Sequence, residues 1–180
     1  MKLFFKKNDK SSKGFTLVET LVAVSIFTTS ILGLMSVLAS GISNTNYAKN
    51  KITASYLAQE GIEYVRNMRD TYSLYSSTTG KDWSNFKAKL APCNLSGECG
   101  IDDSVVPIDV KKCNQLNDCK LFFNNGSYNS SVGADSGFVR KIWMTTINAD
   151  EVKISSSVSW TQGSGNYSIT FSENLFNWIE

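Results

Sequence analysis

Residues 15–42, FTLVETLVAVSIFTTSILGLMSVLASGI, contain a single charged side chain, Glu19. A helix needs about 20 residues to cross the hydrocarbon core of a membrane, so this run is long enough. Ahead of it, Lys2, Lys6, Lys7, Lys10 and Lys13 face only Asp9, a local balance of +4 over residues 1–14. Basic residues accumulate on the cytoplasmic side of a span, which places residues 1–14 inside the cell and the remainder outside. The whole-chain charge of +2 is therefore misleading, because residues 15–180 carry −2. No concentrated basic face remains, and no nucleic-acid partner is expected.

Three readings compete for the apolar run. A secretory signal peptide has an apolar region of about 7–15 residues. Here the run is longer, although Ala39-Ser40-Gly41 could serve as a small-residue cleavage site. A plain signal anchor accounts for the length and the lysines but not for Glu19. A carboxylate inside an apolar helix costs a few kcal/mol on insertion scales, about 2.5–3.5 for an acidic residue at the centre. Glu19 is either solvated near the interface or paired with a cation. No Lys or Arg follows it until Lys49. A cut between Gly14 and Phe15 would create an α-amino group four residues before Glu19, about 6 Å of helix rise away. Amine and carboxylate could pair within one subunit or between axially offset neighbours. Pairing between neighbours would make Glu19 a register device, since an unpaired charge in an apolar bundle is heavily penalised.

Lys13-Gly14-Phe15-Thr16-Leu17-Val18-Glu19-Thr20-Leu21 resembles the prepilin processing motif of type IV pilins and type II secretion pseudopilins. The resemblance implies that Gly14 is the last leader residue, cut by prepilin peptidase, a membrane-embedded aspartyl protease. It implies that Phe15 becomes the N-methylated terminus and that Glu19 is the assembly glutamate. Major pilins commonly carry a helix-distorting proline at the position of Ser36, and residues 15–42 contain none. That variant looks more like a minor pilin or minor pseudopilin. The resemblance is specific over residues 1–42, plausible to about residue 70 and only architectural beyond.

Residues 43–70 keep helical spacing. Tyr47, Ala54, Ala58, Gly61, Val65 and Met68 fall close to one face, with Leu57 and Ile62 beside it. Lys49, Lys51, Glu60, Glu63 and Arg66 are expected on the opposite side, with Glu63–Arg66 and Arg66–Asp70 at supportive spacings. One continuous helix over about 15–70 would measure on the order of 80 Å.

Residues 71–180 form the expected head. Residues 71–92 begin as a Ser/Thr-rich loop, followed by a short helix, Trp83 to Leu90, closed by Pro92. Residues 71–119 are the disulfide-bearing region, with Cys93, Cys99, Cys113 and Cys119. Structural zinc prefers two to four residues between paired ligands, and the spacings here are longer. An exported chain with an even cysteine count favours disulfides. Three connectivities are possible; two local loops, Cys93–Cys99 and Cys113–Cys119, are the expectation. Residues 120–180 alternate as an antiparallel sheet does. Val152, Ile154, Ser156, Val158 and Trp160 share a face, as do Tyr167, Ile169 and Phe171, and Trp143 and Ile147 lie opposite Ile142 and Met144. Asn124-Asn125-Gly126 signals a hairpin between Lys120–Phe123 and Ser127–Asn129. Leu175-Phe176-Asn177-Trp178-Ile179 is either core or contact surface.

Catalysis finds no support. The chain lacks histidine, which removes Ser-His and Cys-His arrangements. Gly163-Ser164-Gly165 is not a nucleophile elbow. Asp102, Asp103, Asp109 and Asp118 lack EF-hand spacing, and a calcium site there is the lesser reading beside solvated loop acids. No cofactor or metal is expected. The expected fold is α+β: a long N-terminal helix, first apolar and then amphipathic, packed on an antiparallel sheet, which is also the pilin architecture. The resemblance implies a structural subunit of a pilus or pilus-like filament. Its partners would be prepilin peptidase, other pilin or pseudopilin subunits, the inner-membrane assembly machinery and, before assembly, membrane lipid. The alternatives are a pseudopilin or an anchored extracytoplasmic binding domain that does not polymerise.

Overall fold

The computed structural model describes residues 14–74, 82–94, 97–103, 109–113 and 119–177. Helix α1 (Leu17–Leu74) is followed by α2 (Trp83–Leu90) and seven strands: β1 (Cys99–Asp102), β2 (Asp109–Lys112), β3 (Lys120–Asn124), β4 (Ser127–Asn129), β5 (Ala134–Thr146), β6 (Glu151–Gln162) and β7 (Gly165–Phe176). The fold is α+β. The chain divides into two compact units, Met1–Thr45 and Asn46–Glu180.

In the second unit, β5, β6 and β7 form an antiparallel meander in unbroken register, from Phe138↔Trp160 to Thr146↔Val152 and from Glu151↔Phe176 to Gln162↔Gly165. The other edge of β5 is shared. Its first half pairs with β3, and its second half meets β1 through Cys99↔Ile142. β4 extends β3, and β2 extends β1. At the β3–β4 turn, Asn125 (φ 49°) and Gly126 (φ 84°) both take left-handed backbone, the conformation a two-residue hairpin with the native twist requires.

The inward face of the meander carries Phe138, Arg140, Ile142, Val152, Ile154, Ser156, Val158 and Trp160, all buried. α1 covers it with Ala54, Leu57, Ala58, Gly61, Ile62, Val65, Met68 and Arg69. Helix and sheet approach closely at Gly61. A Cβ there would stand 2.5 Å from Ser156 Oγ and 3.2 Å from both Arg140 Cδ and Ile142 Cδ1.

Two residues expected on the solvent side of α1 lie at this interface. Glu60 accepts a hydrogen bond from Arg140 at 2.6 Å, and Arg66 pairs with Glu173 as well as with Glu63 at 2.5 Å. The sheet is wider than the apolar stripe, so its flanks supply partners to residues beside the stripe. Arg69 binds Asp70 at 2.5 Å and the Phe176 carbonyl at 3.1 Å. Asp70 thus joins Arg69, not the expected Arg66. α1 also continues four residues past the expected end, through Thr71–Leu74, where a loop was expected. Residues 75–81 lie outside the described residues.

α2 begins at an Asp82 cap, whose side chain accepts from the Asn85 N–H at 2.8 Å. It buries Trp83, Phe86 and Leu90, and the Trp83 Nε1–H donates to the Ala149 carbonyl at 2.8 Å. The helix then delivers Cys93, which is bonded to Cys99 with their Cα atoms 5.2 Å apart. Both sulfurs are buried among Leu90, Ile101 and Ile142. Cys113 is bonded to Cys119, Cα to Cα 5.6 Å. Between Cys93 and Cys119 the chain forms β1 and β2, strands that its weak apolar pattern does not announce. Leu175 is core and Phe176 is 42% exposed; Trp178 and Ile179 lie outside the described residues.

Candidate functional site

Helix α1 starts at Leu17, and Thr16 acts as its cap. The Glu19 N–H donates to Thr16 Oγ1 at 3.2 Å, and the Thr20 N–H donates to the Thr16 carbonyl at 3.1 Å. Thr16-Leu17-Val18-Glu19 is the sequence of a capping box, with the hydroxyl satisfying the third helical N–H. Glu19 therefore lies in the first turn, where the helix dipole favours a negative charge. Its side chain is exposed, and no cation reaches it among the described residues. Phe15 is 77% exposed. Lys2, Lys6, Lys7, Lys10 and Lys13 of the basic leader lie outside the described residues.

Gly14 is exposed, and a Cβ built on it would meet nothing within 4 Å among the described residues. Its backbone does not occupy the left-handed region either. Among the described residues, nothing gives a steric reason for glycine at this position. Gly14, Phe15 and Glu19 fall within six consecutive residues ahead of, and in, the first turn of α1.

The first unit of α1 exposes its apolar side chains, Val22, Phe27, Leu32, Leu34 and Leu38 among them. Its hydroxyls between Thr20 and Ser30 bond to carbonyls of the helix itself. Thr20 donates to the Leu17 carbonyl at 2.9 Å, Ser25 to Val22 at 2.8 Å, Thr28 and Thr29 to Ser25 at 3.0 Å, and Ser30 to Ile26 at 2.8 Å. Backbone carbonyls serve as partners, so none of these hydroxyls enters an apolar surrounding unpaired. By length and composition, α1 is able to cross a membrane. Glu19 remains the one acidic or basic side chain of residues 15–42.

Among its described residues the head holds no comparable cluster. Asp103 accepts from the backbone N–H and hydroxyl of Ser130, with the amide bond at 3.1 Å. Asp109 is held by Lys89 at 2.7 Å and accepts from the Val110 N–H at 2.7 Å. These two carboxylates serve different loops. The Asp102 side chain and Asp118 lie outside the described residues. Among the described residues, no group of three or more acidic, Cys or His side chains could hold a metal ion. The cysteines are all consumed in the two disulfides.

Ionic and aromatic contacts that sequence spacing did not reveal organise the helix–sheet seam. Arg140 packs over the Tyr64 ring, 5.4 Å from its centroid, and Tyr64 donates to Glu60 at 3.3 Å. Burial, followed by the Glu60 charge, raises the Tyr64 hydroxyl above its ordinary pKa. The hydrogen bond to Glu173 holds the Arg66 guanidinium further into its charged form. A buried arginine on a strand is visible in sequence only as a charge within an alternating apolar pattern, here Phe138-x-Arg140-x-Ile142.

Residues 9–42 match the family model described as the prokaryotic N-terminal methylation motif. Neither the curated proteins nor the solved structures yield a match to the chain. The matched segment contains Gly14, Phe15, Thr16 and Glu19 together with the whole apolar run. With that motif at its start and a helix packed on an antiparallel sheet behind it, the chain is similar to type IV pilin and pseudopilin-like prepilins over residues 9–42.

Proposed function

We propose that this protein is a structural subunit, processed by prepilin peptidase between Gly14 and Phe15 and assembled through α1 into a type IV pilus or pseudopilus filament. Before assembly, residues 15–42 anchor it in the membrane, with residues 1–14 cytoplasmic and the head outside. Processing removes the basic leader and methylates the Phe15 amine. The inner-membrane assembly machinery then draws the subunit into a bundle of neighbouring apolar helices.

The observation that carries this reading is Glu19, the lone charge in a 28-residue apolar run, held in the first turn of α1 beside the cleavage point. In lipid, a carboxylate close to the helix start can reach the interface. In a dry helical bundle it needs a cation, and removing one partner of a buried pair costs about 3–5 kcal/mol. The Phe15 amine of a neighbouring copy supplies that cation only at one axial offset, so Glu19 sets the register. The exposed, sterically unconstrained Gly14 supports the cleavage: a protease subsite that excludes side chains accounts for glycine where the fold does not.

The test is Glu19→Val in the full-length chain. The variant is expected to lose its leader normally and to enter filaments poorly. Normal incorporation would overturn the register role.

A further inference from the structure

Among the described residues, the sheet ends on β7 at one side and on β2 and β4 at the other. β7 runs twelve residues in unbroken register with β6 and contains no proline, lysine or bulge to blunt the edge, and its one charged side chain, Glu173, is paired with Arg66. The part of α1 that packs on the sheet points along β7. Asn50 bonds to Gln162, Arg66 pairs with Glu173, and Arg69 reaches the Phe176 carbonyl. The successive pairs β7–β6, β6–β5, β5–β1 and β1–β2 are all antiparallel, so four reversals return β2 to the direction of β7. Copies standing side by side with parallel helices therefore present β7 of one and β2 of the next in the same orientation.

The two edges also match in chemistry. One row crosses the sheet through Lys112, Cys99, Ile142, Ser156 and Phe171. Beside β7, Glu63, Arg66 and Glu173 form a triad of net charge −1. Next to them a groove of about 490 Å³ is lined in part by Ile62 and Phe171. On β2, Lys111 and Lys112 are exposed, and Asp109 is held by Lys89. Raising β2 two residues above that row puts Lys112 beside Glu173 and Val110 beside Phe171 on the helix side. Lys111 then falls beside Ser172, and Asp109 beside Thr170, on the other side. Opposite charges and apolar neighbours meet in this register.

We propose that neighbouring copies of this chain join their heads by sheet addition, the β2 edge of one pairing in parallel with the β7 edge of the next. This rests on the filament reading above. The test uses the full-length chain, overproduced so that copies adjoin, with the single variants Lys111→Cys and Ser172→Cys co-expressed. Both positions are exposed. The four native cysteines are already paired, so the new thiols report on each other. Oxidised filaments should give a covalent dimer on a non-reducing gel. Neither variant alone should do so, nor should Lys111→Cys with Asn166→Cys, six residues earlier on β7. Filaments that contain both variants but yield no dimer would overturn the edge pairing and leave the filament reading intact. A chain that stays in the membrane and enters no filament would overturn both.

Discussion

Arg140 of β5 and Glu60 of α1 meet at 2.6 Å, with the arginine side chain 3% exposed and the glutamate 40%. The pair fastens the helix to the middle of the sheet, and its two members are unequal. Glu60 can turn to water if its partner is lost, whereas Arg140 cannot. Glu60→Gln should therefore cost about 1–3 kcal/mol, because it leaves a buried cation without its counter-charge. Arg140→Met should be close to neutral, since an apolar side chain of similar length replaces a desolvated charge. Thermal unfolding of the two variants in detergent checks this. The reverse ranking would show that the pair is worth more as a contact than its burial costs.

Gly61 allows a close helix–sheet approach, and Ser156 Oγ is the atom a new Cβ would meet at 2.5 Å. Ser156 is on a strand held on both sides, so the helix must shift. Gly61→Ala should cost about 1–3 kcal/mol, the usual range for overpacking. Ser156→Ala removes the obstructing oxygen, which is buried and has no hydrogen-bond partner among the described residues. The double variant should therefore be more stable than the sum of the two single changes predicts, by at least about 0.5 kcal/mol in a double-mutant cycle. Strict additivity would mean that the close approach is relieved some other way.

The Tyr64 hydroxyl titrates above its ordinary value of 10.0 because of burial and then Glu60. The folded protein therefore holds this proton more tightly than the unfolded chain does. The associated stability is fully present below 10.0 and is lost as pH rises from there through the folded-state value. Tyr64→Phe should flatten that alkaline decline. Denaturant midpoints across the alkaline range measure it, and an unchanged slope in the variant would contradict the linkage.

Much of this architecture was legible because it rests on periodicity. Val152, Ile154, Ser156, Val158 and Trp160 alternate, all five are buried, and the strand they imply is β6. The 3.6-residue stripe of Ala54, Ala58, Gly61, Val65 and Met68 is the buried face of α1. Asn125-Gly126 sits in the hairpin turn its φ preferences favour. What periodicity could not reveal is pairing between distant residues. Glu60 and Arg66 read as solvent-facing because their partners, Arg140 and Glu173, lie 80 and 107 residues away. β1 and β2 were invisible for a related reason. Cys99-Gly-Ile-Asp and Asp109-Val-Lys-Lys have little strand character of their own, and β1 is placed by its disulfide and by the Ile142 contact. At the amino terminus the order is inverted. The motif is local and readable, while no partner that would neutralise Glu19 is present among the described residues.

Gly14 is open on every described side, so its substitution should leave the fold intact. Gly14→Ala should slow leader removal and Gly14→Val should abolish it, with both precursors as stable as the parent chain. Immunoblots of membranes, which resolve precursor from mature chain, decide the point. Efficient cleavage of the valine variant would place the recognition elsewhere.

On the proposed reading, the working subunit begins at Phe15. Intact-mass and amino-terminal peptide mass spectrometry of the protein from its native membrane or filament tests it most directly. The account predicts a chain that lacks residues 1–14 and starts at Phe15 bearing one methyl group on its amine. A chain that retains Met1, or one that starts near Ile42, would contradict it.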